Sequence, residues 1–183
     1  EMQRSLVGSE MCIRDRCDIM DNKINRNLFE RHDFMVVKAE YNDLQNILEL
    51  QYLSYQSEAA LFGSKDIPPL KQTLDEVIDE FNNGIILKMV IDDEIIGSVR
   101  AKKQNGTVYI GKLMVHPDYR CKGYGSKLLA EIENYFPKKR YELFTSTRSK
   151  DNIRLYQKMG YTIFDCKAVN DELQFVYMEK CKL

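Results

Sequence analysis

Between Ile85 and Val115 the chain reads as three strands in series, and this run constrains the fold more than any other. Residues 85–91 are apolar, and Asp92-Asp93 makes a tight turn into residues 94–103. Asn105-Gly106 is a strong hairpin signal, because both residues tolerate positive φ, and it leads into residues 107–115. Two short turns in succession dictate an antiparallel meander. His116-Pro117-Asp118 then breaks the strand. A helix is expected over residues 123–136, with Leu128, Leu129, Ile132, Tyr135 and Phe136 on one face and Pro137 as its stop. Residues 141–147 are the next strand, β-branched and aromatic. A strand–helix–strand unit places strands 107–115 and 141–147 parallel, through a right-handed crossover. The fold class is therefore α/β (α+β), with a mixed, mostly antiparallel central sheet of about six to seven strands and about four flanking helices.

The flanks complete the sheet. Residues 34–38 read as a short strand, and a helix follows from about Asn42, whose side chain is suited to cap it. Leu44, Ile47, Leu48, Tyr52 and Tyr55 recur at helical spacing on that helix. Gly63, Pro68 and Pro69 mark residues 61–70 as a loop. Thr73 and Glu76 form a capping box for a second helix carrying Leu74, Val77, Ile78 and Phe81. A short helix is expected from about Asp151 to Met159, closed by Gly160, and residues 161–168 and 172–179 read as a final hairpin.

Composition narrows the function. Of 183 residues, 27 are basic and 28 acidic, a net charge of −1, which leaves no footprint for nucleic acid or an anionic membrane surface. The five cysteines are odd in number, lack CxxC spacing and are joined by only two histidines. Neither a disulfide framework nor a metal site is expected, and reduced thiols fit a cytoplasmic protein. No apolar run is long enough to span a bilayer. Residues 5–16 (Ser-Leu-Val-Gly-Ser-Glu-Met-Cys-Ile-Arg-Asp-Arg) look like a translated sequencing-library adapter. Residues 1–16 are therefore expected to be an artefact within a non-core segment 1–33, with the native start at Met20 or Met35 and the domain over residues 34–183.

The chemistry is concentrated in two places. Arg120, Cys121, Lys122, Gly123, Tyr124, Gly125 and Ser126 lie between a strand end and a helix start. A helix N-terminus offers unpaired N–H groups and a partial positive charge, and glycines let a phosphate approach the backbone. Such a turn suits a pyrophosphate. No GK[ST] follows, so it is not a Walker loop, and no third glycine makes it a dinucleotide fingerprint. Asn152 and Tyr156, spaced i,i+4, share one face of the short helix, whose start lies on the same sheet edge. Taken alone, they would read as a cap and a packing tyrosine.

Together these elements resemble the GNAT (Gcn5-related N-acetyltransferase) family over roughly residues 34–180. Arg120, Gly123 and Gly125 match its R/Q-x-x-G-x-G/A signature, and Asn152, Tyr156, Gly160 and Tyr161 resemble its N-x-x-x-Y-x-x-x-G-[FY] stretch. Leu113-Met114-Val115-His116-Pro117 looks like the family's bulged strand, which implies that the parallel pair splays at the cofactor site. The resemblance implies acetyl-CoA as co-substrate. The backbone of Leu113 and Val115 then pairs with the pantetheine arm, and residues 120–126 hold the pyrophosphate through amides and side chains. Asn152 contacts the pantetheine or positions the thioester, and Tyr156 donates a proton to the departing thiolate. An amide near Met114 or Val115 is placed to stabilise the tetrahedral oxyanion.

Direct attack by the amine in a ternary complex needs no covalent enzyme intermediate. The acceptor is expected to be a small-molecule amine more than a peptide or protein amine. For the base, Glu58 lies in the segment that resembles the family's acceptor region, while a solvated helix glutamate and a water chain are the other readings. His116 reads as a turn residue, Tyr52 and Tyr55 as core before pocket, and Tyr109 and Glu142 as strand packing. Cys121 replaces a glycine common in the family pattern. Beside Lys122 at a helix start its thiol should have a lowered pKa and is a candidate for a mixed disulfide with CoA; a mass shift persisting in Cys121→Ser would exclude this. The family's habit of pairing leaves a homodimer open. The alternative function is a catalytically silent acyl-CoA-binding regulatory module, which would have no use for a proton donor at Tyr156.

Overall fold

Both hairpin turns form as their residues dictate. Asp92 and Asp93 sit at φ 48° and 64°, and Asn105 and Gly106 at 51° and 83°, the doubly left-handed geometry that matches strand twist. The computed structural model describes residues 34–168 and 173–181. Its seven strands are β1 (Met35–Lys38), β2 (Ile85–Ile91), β3 (Glu94–Gln104), β4 (Thr107–Val115), β5 (Arg140–Ser146), β6 (Thr162–Ala168) and β7 (Gln174–Cys181). They form one sheet in the order β1-β2-β3-β4-β5-β7-β6. Only the β4–β5 pair is parallel; the other neighbours are antiparallel. The helices are α1 (Leu44–Ser54), α2 (Gln56–Phe62), the single turn α3 (Pro68–Lys71), α4 (Leu74–Asn83), α5 (Tyr124–Asn134) and α6 (Lys150–Lys158).

The sheet is packed on both faces. One core joins Leu87, Met89, Val99, Val108 and Ile110 of the strands to Leu128, Leu129 and Ile132 of α5. The other joins Ile86 and Met114 to Leu44, Ile47 and Leu48 of α1 and Val77 of α4. Each such fully buried side chain contributes about 1.5–3 kcal/mol. Helix α5 lies close on β3, because a Cβ on Gly97 would sit 2.9 Å from Leu128 Cδ1 and 3.2 Å from the Met114 carbonyl. Glu133, 1% exposed at the end of α5, accepts from Lys180 Nζ at 2.8 Å and from the Tyr161 hydroxyl at 3.0 Å. This buried charge is thus paired across helix and sheet.

Several boundaries differ from the sequence reading for physical reasons. Asn42 does not cap the first helix. It lies inside a 3-10 turn, Tyr41–Asp43, closed by the Glu40 N–H donating to Asp43 Oδ2 at 2.7 Å. The helix breaks at Tyr55, so Glu58 belongs to α2, not to the end of α1. Residues 61–70 are not all loop: α2 runs to Phe62, Gly63 ends it at φ 66°, and Pro68 opens a helical turn with a missing N–H that costs nothing there. Gly123 precedes α5 at φ 82°, and Tyr135 and Phe136 follow its end. Helix α6 begins at Lys150 after Ser149. The expected segment 1–33, with the adapter-like residues and Met20, lies outside the described residues; Met35 opens β1. Among the described residues no helix is long and apolar enough to cross a membrane, and no cluster of metal-ligating side chains occurs.

Candidate active site

β4 and β5 pair only at Thr107–Arg140, Val108–Tyr141 and Tyr109–Glu142, then diverge. The divergence follows from a bulge in β4: two residues, Lys112 and Leu113, oppose the single Val99 of β3. Lys112 takes φ 50° there. A bulge bends its strand, and this one turns β4 away from β5 while β5 stays paired with β7. The result is a cleft of about 620 Å³ between the strands, roofed by Tyr55 and Glu58 at the α1–α2 junction and bounded by Asn152 and Tyr156 of α6. A splayed parallel pair leaves the facing edge of β4 open to an added extended chain.

At the end of β4 the chain turns into α5. Cys121, at φ 61°, and Gly123, at φ 82°, are left-handed, and nothing stands within 4 Å of where a Gly123 Cβ would be. The first-turn amides of Tyr124, Gly125 and Ser126 lack intrahelical partners by the geometry of any α-helix. Leu155 of α6 lies 3.4 Å from the position of a Gly125 Cβ, so the second glycine lets the start of α5 approach the side of α6. Lys122 is exposed, with its ammonium 5.0 Å from the Tyr119 ring centre. The Arg120 side chain turns elsewhere: its guanidinium donates to the Ser54 carbonyl at 2.7 Å, Ser57 Oγ at 3.0 Å and the Val115 carbonyl at 3.3 Å. Arg120 therefore ties α1 and α2 to the end of β4. Since Ser54 Oγ also donates to the Val115 carbonyl, at 3.4 Å, that carbonyl is engaged within the protein and Leu113 lies nearer the open edge.

Glu58, Asn152 and Tyr156 converge on the cleft from elements far apart in sequence. Asn152 Nδ2 donates to Glu58 Oε1 at 3.0 Å and lies 3.5 Å from Thr145 Oγ1 at the end of β5. Burial pushes the Glu58 carboxyl above the ordinary glutamate range, while the Asn152 hydrogen bond and the Arg120 and Lys112 charges oppose the rise. Tyr156 is 8% exposed, and its ring lies 6.1 Å from that of Tyr161. Burial, then the Glu58 charge, pushes its phenol well above the ordinary tyrosine range, so it is protonated at neutral pH. Among the described residues its hydroxyl has no hydrogen-bond partner. Tyr55 lines the cleft and is shifted the same way by burial and Glu58. His116 accepts from the Asp118 N–H at 3.3 Å and is a turn residue, as expected.

Residues that the sequence reading did not single out complete the walls. Arg100, 5% exposed on β3, donates to Gln51 Oε1 at 2.8 Å and Gln72 Oε1 at 3.0 Å, and pairs with Glu80. This network joins α1, the α3–α4 connection and α4 to the sheet. An arginine inside the apolar run Ile95–Ala101 was its signal. Lys112 enters the cleft from the bulge, and burial lowers its ammonium below the ordinary lysine range. Tyr109, expected only to pack, is 44% exposed and lines the cleft, whereas Glu142 pairs with Arg140.

Residues 42–161 match the model of the acetyltransferase (GNAT) family. The chain belongs to this family, and by it to the N-acetyltransferases. Solved structures share the fold. PaiA N-acetyltransferase from Thermoplasma acidophilum, crystallised with coenzyme A, superposes with a TM-score of 0.71 at 19% identity, covering 82% of this chain and 99% of that one. The ribosomal-protein-S18-alanine N-acetyltransferase from Escherichia coli gives 0.66 at 12% identity, with 80% and 92% covered. An aminoglycoside 6′-acetyltransferase type Ii gives 0.66 at 19%, with 80% and 96% covered. Among curated protein sequences no match was found.

Proposed function

We propose that this protein transfers the acetyl group of acetyl-CoA directly to a small-molecule amine. The convergence of Glu58, Asn152 and Tyr156 beside the splayed strands carries this reading. The residues present suit CoA. Open amides at the α5 start and the room beside Gly123 would take the diphosphate, with the exposed Lys122 as the nearby cation. The unpaired edge of β4 at Leu113 would take the pantetheine arm, and the Met114 region the developing oxyanion.

Glu58 accepts a proton from the acceptor ammonium; its raised pKa makes it a stronger base than an ordinary glutamate. The amine nitrogen attacks the thioester carbonyl, the C–S bond breaks, Tyr156 gives its phenolic proton to the leaving sulfur, and the second proton lost by the nitrogen restores the Tyr156 phenol. Among the described residues its hydroxyl is tied to no acceptor, which leaves it available for that transfer. Asn152 holds the Glu58 carboxylate in place. A silent acyl-CoA-binding module would have no use for this paired base and acid. The fold alone does not select the acceptor: by their names, one structural neighbour acts on a ribosomal-protein alanine and another on aminoglycosides. The test is an acetyl-CoA-dependent thiol-release screen across amine classes with mass spectrometry of the products. Acetylated amine appearing in step with free CoA is expected; CoA binding without any acetylated product would instead favour the silent module.

A further inference from the structure

Besides the engaged Arg100 the cleft is lined by Lys102 and Lys112, and the transfer chemistry leaves both lysines unused. Lys112 adopts φ 50°, a backbone conformation rare for a residue with a Cβ, and the bulge that imposes it directs the side chain into the cleft. Its ammonium stands 5.7 Å from the Tyr55 ring centre and forms no ion pair among the described residues. The carboxylates whose charges reach it are engaged elsewhere. Glu80 pairs with Arg100 and accepts from Gln72, Glu58 accepts from Asn152, and Glu76 closes the α4 capping box through the Thr73 N–H. A partly desolvated ammonium without a counter-charge favours the arrival of an anion. Arg100 cannot serve in its place, because its terminal nitrogens are engaged and its Nε is sealed from the cleft.

Part of the lining of the same cleft is aromatic. Phe144 is 55% exposed, with its ring 5.2 Å from that of Phe175, and Tyr109 lines the same cleft. Exposed aromatic side chains in a cleft offer a bed for an apolar ligand body. A polycationic acceptor would bring further ammonium groups against Lys112 and Lys102, both on the cleft wall.

We propose that Lys112 reads a carboxylate on the acceptor, so that the substrate is a monoamine whose amine and carboxylate are separated by an apolar body resting on Tyr109 and Phe144. Lys102 is solvent-exposed whereas Lys112 is partly buried, and one partly desolvated ammonium suits a carboxylate better than a dianionic phosphate. The inference rests on the acetyl-transfer reading and narrows its acceptor.

The test compares kcat/KM by thiol release for matched pairs: 4-(aminomethyl)benzoate against benzylamine, and 6-aminohexanoate against hexylamine. Each carboxylate should be favoured by about tenfold or more, the scale of one charge-assisted hydrogen bond. Lys112→Met should collapse that ratio towards one, while Lys112→Arg should keep it. Should Lys112→Met fail to fold, Lys112→Asn, which tolerates the left-handed backbone, reads the same ratio. A wild-type ratio near or below one, faster turnover of spermidine, or a ratio that survives loss of the ammonium would overturn the inference and leave acetyl transfer standing. If no amine is acetylated while CoA still binds, the transfer reading itself fails and takes this one with it.

Discussion

Replacing Tyr156 by Phe removes one hydroxyl and leaves the buried ring against Tyr161. Because the hydroxyl has no protein partner among the described residues, no hydrogen bond is lost and no acceptor is orphaned. The change in unfolding free energy should therefore stay under about 1 kcal/mol. CoA affinity should also hold within about threefold, since the proposed diphosphate site lies at residues 123–126, on another helix. Turnover should fall by about 10²–10⁴, the usual contribution of a positioned general acid, equivalent to about 2.7–5.4 kcal/mol of barrier. The assays are thiol release at saturating acetyl-CoA, calorimetric titration with CoA and denaturant unfolding, on wild type and variant side by side. Unchanged turnover would remove Tyr156 from the chemistry. Loss of CoA binding together with turnover would make its role structural.

Glu58→Gln should lower turnover by about tenfold or more and remove the acid limb that Glu58 contributes to the pH–rate profile, leaving only that of the amine. The Glu58 pKa is raised on folding, so the native state binds more protons, and stability falls as pH rises from the ordinary glutamate value to the raised one. The Gln variant should lack that decline in a denaturation series against pH, and an identical decline in both would refute the shift. Glu133→Ala strands the Lys180 ammonium and the Tyr161 hydroxyl, and should cost about 3–5 kcal/mol by denaturant unfolding. Adding Lys180→Met should recover part of the loss; full additivity would mean the pair is not coupled.

The sheet was legible where local chemistry decides. Asp92-Asp93 and Asn105-Gly106 fix their turns, the Thr73–Glu76 box starts its helix, and the strand–helix–strand order imposes the parallel pair. What remained hidden depends on tertiary geometry. A bulged strand was expected at Leu113-Met114-Val115, but that the bulge falls at Lys112, after Gly111, and aims that side chain into the cleft was not. The break at Tyr55, which turns Glu58 towards Asn152, follows neither a proline nor a glycine. Arg120 matches a phosphate signature by position, yet its guanidinium reaches Ser54 and Ser57, some 60 residues earlier in the chain. Asn42 looked like a cap because its residue type is a good one, but the Asp43 carboxylate, one residue later, captured the free N–H of Glu40. Residue type predicts what a side chain can do; these cases turned on what the fold brought within reach.

The most direct measurement is a structure of the protein soaked or grown with CoA. The diphosphate should lie within hydrogen-bond reach of the Tyr124, Gly125 and Ser126 amides, with pantetheine along the open edge of β4 and its sulfur facing the Tyr156 hydroxyl. CoA bound away from the α5 start, or with its sulfur beyond reach of that phenol, would contradict the proposed site.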